Sequence, residues 1–311
     1  MKKIVFLDEY SIAGRDLQKI TSQGNYISYE NTTKDQVVER LKDADIAITN
    51  KVVIDGEAMR QLPKLKLICV AATGMNNVDL NAAAELGIEV RNAIGYSTIS
   101  VAETTLASAL ALARNIVYFD DYFHDGRYSK ADRAFCYDRF TFQISGKRWG
   151  IIGLGNIGRE VARLATAFGC EVRYFSTSGT KREEGYPQME LEELLKWSDI
   201  VSVHSPLNER TRGLVGEREL QLMKPSALII NVARGGIIDE AALAKALDNK
   251  WIAAAALDVF SVEPLRESPL FNIKDRYSLL ASPHNAWSAA EAIDRLIECV
   301  AENIRVWMAK Q

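Results

Sequence analysis

Short apolar, β-branched runs alternate with helical segments along almost the whole chain, and this alternation leaves few possible folds. In the first third the strand candidates are KKIVFLD, DIAIT, LKLICVAAT and IEVRN. From Trp149 onward the same alternation gives WGIIG, CEVRYF, DIVSVH, ALIINV, AAAALDVF and SLLASP. Continuous apolar strands separated by helices are typical of parallel sheets that are covered by helices on both faces. The sequence therefore predicts an α/β protein.

Two long helical segments divide the chain into domains. Ile99–Phe123 is rich in alanine and leucine and predicts one long helix, and Ala289–Met308 predicts a second, amphipathic helix. A chain of 311 residues is also long for a single core. We expect one domain formed by residues 1–98 with 289–311, and a second, inserted domain formed by residues 99–288. The chain then crosses twice between domains, which predicts a cleft that can open and close.

Composition excludes several classes of partner. The net charge of −3 gives no electrostatic reason to expect nucleic acid or an anionic membrane. No apolar run approaches the ~18 residues of a membrane span. The four cysteines are scattered, without a CxxC pair, which favours free thiols in a reducing cytoplasm over disulfides or a metal site. They are Cys69, Cys136, Cys170 and Cys299.

A glycine-rich loop opens the second half. Gly153, Gly155 and Gly158 have the GxGxxG spacing directly after the apolar run WGIIG, and an amphipathic helix follows. The glycines permit a tight turn, close approach of the backbone to a pyrophosphate and close helix–strand packing. The helix start directs its free N–H groups at the phosphates. This context predicts a Rossmann-like domain that binds a dinucleotide.

The choice between NAD and NADP depends on the end of the next strand. About 20 residues after the loop, an acidic residue normally binds the ribose hydroxyls of NAD. Here EVRYF ends instead in Ser176 and Thr177, with Lys181 and Arg182 close behind. Without a carboxylate, a 2′-phosphate is not repelled. We favour NADP, and NAD with a solvated polar loop remains the alternative.

An arginine follows one of the buried strands. In ALIINVARGGIIDE, Arg234 comes directly after the apolar run, and Gly235 and Gly236 allow the chain to turn sharply. Ligands of open parallel sheets bind outside the carboxyl ends of the strands. A guanidinium can hold a carboxylate through two parallel hydrogen bonds. Arg234 is therefore a candidate for binding a substrate carboxylate, and the alternative is a structural arginine paired with a protein carboxylate.

The next two strands deliver a carboxylate and an imidazole to the same edge. AAAALDVFSVEPL presents Glu263, and SLLASPHNAWS presents His284. Reduction of a carbonyl by hydride needs a proton donor near neutral pH, and imidazole suits that role. A carboxylate beside the ring would orient it and favour its protonated form. Of the other histidines, His124 falls in the linking helix, and His204 in VSVHSPL ends a strand beside the expected cofactor.

These motifs together resemble the D-isomer-specific 2-hydroxyacid dehydrogenases. The similarity rests on GIIGLGNIGR, HSPLNERTRGL, NVARGGIIDE, LDVFSVEP and SPHNAW, which occur in family order over nearly the whole chain. The resemblance implies that Arg234, Glu263 and His284 are the catalytic set, that Asp258 lies near the nicotinamide carboxamide, and that the inserted domain interrupts a discontinuous, flavodoxin-like substrate domain. It also assigns further positions to the cofactor site: Asn156, Ile157, His204, Pro206, Val232 and Ala233.

The first third extends the resemblance to one branch of the family. ICVAATGMNNVDL and NAIGYSTISVAETTLASALAL are similar to glycerate dehydrogenases and hydroxypyruvate reductases. The loop around Gly74 can bring backbone amides close to a substrate carboxylate, and the resemblance implies this role for Thr73, Gly74 and Met75. Two positions depart from the family pattern, Thr104 and Asn285, and neither is expected to abolish activity.

We therefore expect an NAD(P)-dependent oxidoreductase that reduces a small 2-keto acid, hydroxypyruvate or glyoxylate first, to the D-2-hydroxy acid. The alternatives are a D-lactate, phosphite or formate dehydrogenase of the same family, or an NAD(H)-sensing corepressor-like binding protein. The alanine-rich helix Ile99–Phe123 and the resemblance lead us to expect a homodimer.

Overall fold

A computed structural model describes residues 1–180 and 185–310. The chain forms two compact units, Met1–Ser97 with Ser288–Gln311, and Thr98–Trp287. These bounds lie within one residue of the predicted domain boundaries. In the described residues, no helix combines the length and the apolar character that crossing a bilayer requires.

The first unit is built on a five-stranded parallel sheet. The strands are β1 (Lys3–Phe6), β2 (Asn25–Ser28), β3 (Ile46–Thr49), β4 (Leu67–Val70) and β5 (Glu89–Asn92), in the order β2-β1-β3-β4-β5. This is the flavodoxin-like strand order. Its helices, numbered along the whole chain, are α1 (Gln18–Thr21), α2 (Val37–Leu41), α3 (Gly56–Arg60), α4 (Leu80–Glu85) and α11 (Ala290–Met308).

The second unit is built on a six-stranded parallel sheet. The strands are β6 (Arg148–Ile152), β7 (Glu171–Phe175), β8 (Ile200–Val203), β9 (Leu228–Asn231), β10 (Ala254–Leu257) and β11 (Leu279–Ala281), in the order β11-β10-β9-β8-β6-β7. The helices are α5 (Thr98–Ala113), α6 (Ile116–His124), α7 (Asn156–Ala167), α8 (Leu191–Trp197), α9 (Glu217–Leu222) and α10 (Glu240–Asp248).

Both faces of the six-stranded sheet are covered, which explains why its central strands are mostly apolar. β8, β9 and β10 are fully buried. Side chains of α5 and α7 pack with one face in one apolar cluster, and side chains of α8, α9 and α10 pack with the other face in a second cluster. The α/β fold with two parallel sheets is confirmed. Because the strands within each sheet are parallel, their carboxyl ends, where ligands bind, lie at one edge of that sheet.

Two sequence-based predictions of elements were wrong. β2 was missed because NYIS is only half-buried and lacks an apolar run. The single helix Ile99–Phe123 is two helices, α5 and α6, because Asn115 adopts a left-handed conformation with φ 49°. The Asn115 side-chain amide donates a hydrogen bond of 2.9 Å to the carbonyl of Phe140, which supports the break.

Candidate active site

The glycine loop lies at the point where strand order reverses. β7 lies on one side of β6 and β8 on the other, which is the position where open α/β sheets bind ligands. Gly153 follows β6 with φ 94°, and a Cβ there would lie 3.0 Å from the Cβ of Ser205 and 3.1 Å from the backbone of His204. A Cβ on Gly158 would lie 2.3 Å from the carbonyl oxygen of Gly153. The loop therefore requires glycine at both positions.

The start of α7 has the features of a dinucleotide pyrophosphate site. Gly155 is the N-cap, and no side chain caps the helix. The N–H groups of the first turn, which includes Asn156, Ile157 and Gly158, have no partner within the helix. Apart from its own chain neighbours, no atom of the described residues lies within 4 Å of the position that a Cβ of Gly155 would occupy. The free donors and the open space beside them fit a bound pyrophosphate.

The loop after β7 carries hydroxyl groups where NAD-specific sites carry an acid. The Ser176 hydroxyl donates to the carbonyl of Thr180 at 2.8 Å and lies 3.3 Å from the hydroxyl of Ser178. Thr177 lies between them in the same turn. Lys181 and Arg182, which the sequence placed close behind, lie outside the described residues. The described part of this loop contains no carboxylate to exclude a 2′-phosphate.

His204 directly follows β8 and lies beside the glycine loop. Its Nε2 lies 2.9 Å from the hydroxyl of Ser202, which also accepts a 2.9 Å hydrogen bond from the indole of Trp149. Burial lowers the pKa of His204 to about 3. The residue as a whole is partly exposed, whereas Nδ1 is enclosed and has no hydrogen-bond partner among the described residues. Pro206, two residues on, is exposed.

Arg234 lies after β9, in a turn that Asn231 holds in place. The Asn231 side chain is 1% exposed, donates to the carbonyl of Arg234 at 2.9 Å and accepts from the N–H of Ala233 at 3.0 Å. The guanidinium of Arg234 donates to the carbonyl of Ala233 at 2.7 Å. Within residues 1–180 and 185–310, no carboxylate forms an ion pair with Arg234, which favours the substrate-binding alternative over the structural one. Val232, buried, precedes this turn.

Glu263 and His284 form a hydrogen-bonded pair. Nδ1 of His284 lies 2.7 Å from Oε2 of Glu263, and Oε1 of Glu263 accepts from the N–H of Phe260 at 3.0 Å. Because a carboxylate can only accept, Nδ1 donates and Nε2 is the nitrogen left to exchange a proton with a ligand. The side chains are 23% and 33% exposed, so both retain access to solvent or substrate.

Three features that sequence analysis did not identify join these loops. Gly235 lies against the backbone of Phe260, where an added Cβ would be 1.9 Å from the Phe260 carbonyl. Glu240 accepts a 2.6 Å hydrogen bond from the N–H of Ser261. The third is the Asn231 side chain. Of these three features, only the Asn231 contact had a signal in the sequence, namely a polar residue at the end of the apolar run LIIN. A buried asparagine at that position must bond to the loop that follows.

Asp258 also lies in this region, directly after β10. Its carboxylate accepts hydrogen bonds from residues of the loop that carries His284. The residues expected to bind cofactor and to perform catalysis thus all belong to the unit Thr98–Trp287.

The predicted substrate loop lies in the other unit. Thr73, Gly74 and Met75 follow β4 at the carboxyl edge of the five-stranded sheet. The Thr73 hydroxyl donates to the carbonyl of Ala93 at 3.2 Å, and Asn92 donates to the carbonyl of Thr73 at 2.7 Å. These bonds fix the loop to the chain that follows β5.

Known proteins share the sequence pattern and the fold of this chain. The sequence pattern of the D-isomer-specific 2-hydroxyacid dehydrogenase NAD-binding domain matches residues 106–286. The chain is similar to the glycerate dehydrogenase of Methylorubrum extorquens, with 37% identity over 99% of this chain and 96% of that protein.

Two solved structures are similar over nearly their whole length. One is the NADPH-dependent glyoxylate/hydroxypyruvate reductase of Sinorhizobium meliloti in complex with NADP and malonate, with a TM-score of 0.85, 26% identity and coverage of 99% and 93%. The other is the D-lactate dehydrogenase of Aquifex aeolicus with NAD and lactic acid, with a TM-score of 0.85, 25% identity and coverage of 99% and 96%. The chain belongs to the D-isomer-specific 2-hydroxyacid dehydrogenase family.

Proposed function

We propose that the protein uses a reduced nicotinamide cofactor to convert a small 2-keto acid into its D-2-hydroxy acid, with hydroxypyruvate and glyoxylate as the first substrates to test. The observation that carries this proposal is the 2.7 Å pair of Glu263 and His284, at the same sheet edge as an arginine without a carboxylate partner in the described chain. The activities named for the glycerate dehydrogenase and the glyoxylate/hydroxypyruvate reductase support the substrate class.

Each of the three side chains has one task in this reaction. Arg234 binds the substrate carboxylate through two hydrogen bonds, which orients the neighbouring carbonyl. The cofactor, when bound, supplies the hydride to the carbonyl carbon. His284 donates the proton on Nε2 to the carbonyl oxygen, so that the alcohol leaves without a charged intermediate. Glu263 holds Nδ1–H and stabilises the imidazolium before the transfer.

The test is a paired assay of NADH and NADPH consumption with hydroxypyruvate, glyoxylate and pyruvate. We expect turnover with hydroxypyruvate or glyoxylate above that with pyruvate. A preference for pyruvate would make the protein a D-lactate dehydrogenase, and activity only with formate or phosphite and the oxidised cofactor would contradict the substrate class. Cofactor binding without turnover of any of these compounds would contradict the enzyme proposal and favour a sensor.

We propose NADPH as the preferred cofactor because Ser176 and Thr177 stand where an NAD-specific site has a carboxylate. The matched variant is Ser176→Asp, which adds a negative charge at the end of β7. We expect it to lower kcat/KM for NADPH and to raise kcat/KM for NADH, since the charge repels a 2′-phosphate and binds ribose hydroxyls. Equal effects on both cofactors would contradict the assignment.

A homodimer is proposed from an exposed apolar surface on the same unit. α6 and the segment after it expose large apolar or aromatic side chains, an arrangement typical of protein interfaces. They are Ile116, Phe123, Phe135, Tyr137 and Phe140. Light scattering coupled to gel filtration should give twice the chain mass, and a monomer mass would contradict the proposal. The variant Phe140→Asp should shift the dimer toward monomer.

We propose a cytoplasmic location because all four cysteines are unpaired in the structure. Cys69 and Cys170 are buried, and burial raises the pKa of the Cys69 thiol to about 12, which makes it unreactive. Fractionation of cells that express the protein should recover it with cytoplasmic markers; recovery outside the cytoplasm would contradict this.

A further inference from the structure

The side chain of Asp258 is a buried carboxylate, and every hydrogen bond that it accepts within the described residues comes from the segment that carries His284. The residue is 2% exposed. Oδ1 accepts from the hydroxyl of Ser282 at 2.6 Å and from the N–H of Asn285 at 2.8 Å, and Oδ2 accepts from the N–H of Ala286 at 2.9 Å. Three of the roughly four acceptor sites of a carboxylate are therefore occupied by this one segment.

The backbone of the same segment is bound to Asp258 as well. The N–H of His284 donates to the Asp258 carbonyl at 2.7 Å and to the Ser282 carbonyl at 3.0 Å. His284 has φ 57°, a left-handed conformation that is unfavourable for a residue with a Cβ. Such a conformation persists only where surrounding contacts impose it. On its other side the segment is bound to α5, since the Ser100 hydroxyl donates to the carbonyl of Ala286 at 2.6 Å.

We propose that Asp258 is a positioning residue: its carboxylate and carbonyl impose the conformation of residues 282–286 and thereby place the His284 ring against Glu263. This inference rests on the proposed role of His284 in proton transfer. The family resemblance implied a different role for Asp258, contact with the nicotinamide carboxamide. In the present proposal Asp258 instead controls the position of the proton donor.

The test is Asp258→Asn, which keeps the shape and replaces one acceptor oxygen by an NH2 group. In either amide orientation, one backbone N–H, that of Asn285 or that of Ala286, then faces a donor. Because a misplacement of about 1 Å can slow an enzyme by about 100-fold, we expect kcat to fall by about that factor. The Kd for NADPH, measured by fluorescence titration, should stay at the wild-type value.

Two further measurements separate positioning from a general loss of structure. Hydrogen–deuterium exchange of the cofactor-free protein should accelerate in residues 282–286 of the Asp258→Asn variant. Asp199→Asn is the matched control, because Asp199 accepts from the N–H of Arg148 at 2.9 Å at the opposite edge of the same sheet. That control should lower thermal stability and leave both kcat and the exchange of residues 282–286 at wild-type values.

Should Asp258→Asn fail to fold, Ser282→Ala removes one donor and leaves the backbone bonds intact. It should accelerate exchange in the same segment and lower kcat several-fold, and wild-type values of both would overturn the proposal. A raised Kd for NADPH with unchanged kcat in Asp258→Asn would also overturn it, in favour of the carboxamide contact.

His284→Gln, assayed in parallel, identifies which idea fails. A slow His284→Gln variant beside a fully active Asp258→Asn variant would overturn the positioning role alone. Wild-type turnover of both variants would contradict the proposed role of His284 itself, and with it the basis of the positioning role.

Discussion

The substitution Gly235→Ala tests whether the catalytic loops depend on one close backbone contact. Gly235 separates Arg234 from the rest of its turn and lies against the backbone of Phe260 in the next loop. A Cβ at this position would be 1.9 Å from both the carbonyl carbon and the oxygen of Phe260, and 2.4 Å from the nitrogen of Ser261. These atoms belong to the main chain, so no flexible side chain can move aside to accommodate the methyl group.

The size of the effect follows from these distances. Ordinary contact begins at 3.4 Å, so Phe260 or Gly235 must move by about 1.5 Å. The N–H of Phe260 binds Glu263 at 3.0 Å, and Glu263 binds His284 at 2.7 Å, so this movement displaces the proton donor from its partner. We expect kcat/KM to fall by about 100-fold or more. The strain should also cost about 1–3 kcal/mol of unfolding free energy.

The assay is steady-state reduction of hydroxypyruvate, with urea unfolding of the same preparation. Gly216→Ala is the control in the same unit, because its Cβ would make only ordinary contacts in the described chain, with the carboxylate of Glu219 at 3.4 Å and the carbonyl oxygen of Gly213 at 4.0 Å. The control should retain wild-type kcat/KM. A folded Gly235→Ala variant with wild-type kcat/KM would refute the reasoning, since it would show that the two loops move without consequence for the pair.

Two other predictions concern the cofactor side of the unit. The folded-state pKa of His204, about 3, lies below its ordinary value of 6.5, so the unfolded state binds more protons between these values. Above pH 6.5 the titration of His204 therefore does not lower the free energy of unfolding. As pH falls from 6.5 toward 3, the free energy of unfolding decreases, and the decrease is about 2 kcal/mol at pH 5. Urea unfolding of His204→Gln should lack this loss, and an equal loss in both proteins would contradict it. In Gly158→Ala the new Cβ would lie 2.3 Å from the Gly153 carbonyl oxygen. The substitution should therefore raise the Kd for NADPH by about tenfold or more in a fluorescence titration. An unchanged Kd would show that α7 can shift without disturbing the phosphate loop.

The sequence predicted those parts of the fold that depend on repeating patterns. Buried parallel strands such as LIIN and IVSV are mostly apolar, with one polar residue each, so they can be recognised without knowledge of their neighbours. β2 could not be recognised in this way, because an edge strand with exposed asparagine and serine has no apolar run. The break at Asn115 is equally hidden: apolar residues continue on both sides, and the contact with Phe140 lies 25 residues away.

The same distinction applies to the candidate site. Arg234, Glu263 and His284 could be predicted to share an edge because parallel strands carry their following loops on one side of the sheet. The contacts that fix those loops could not be predicted, because they join segments that are distant in the sequence. Gly235 against Phe260 and Asp258 with residues 282–286 are of this kind, and glycine and aspartate after a strand have many other uses.

The most direct test of the proposed proton transfer is single-turnover hydride transfer in His284→Gln, with saturating NADPH and hydroxypyruvate. A positioned general acid typically contributes about 100- to 10,000-fold. The rate of hydride transfer should fall by at least about 100-fold, with the Kd for NADPH unchanged. A wild-type transfer rate in that variant would contradict it.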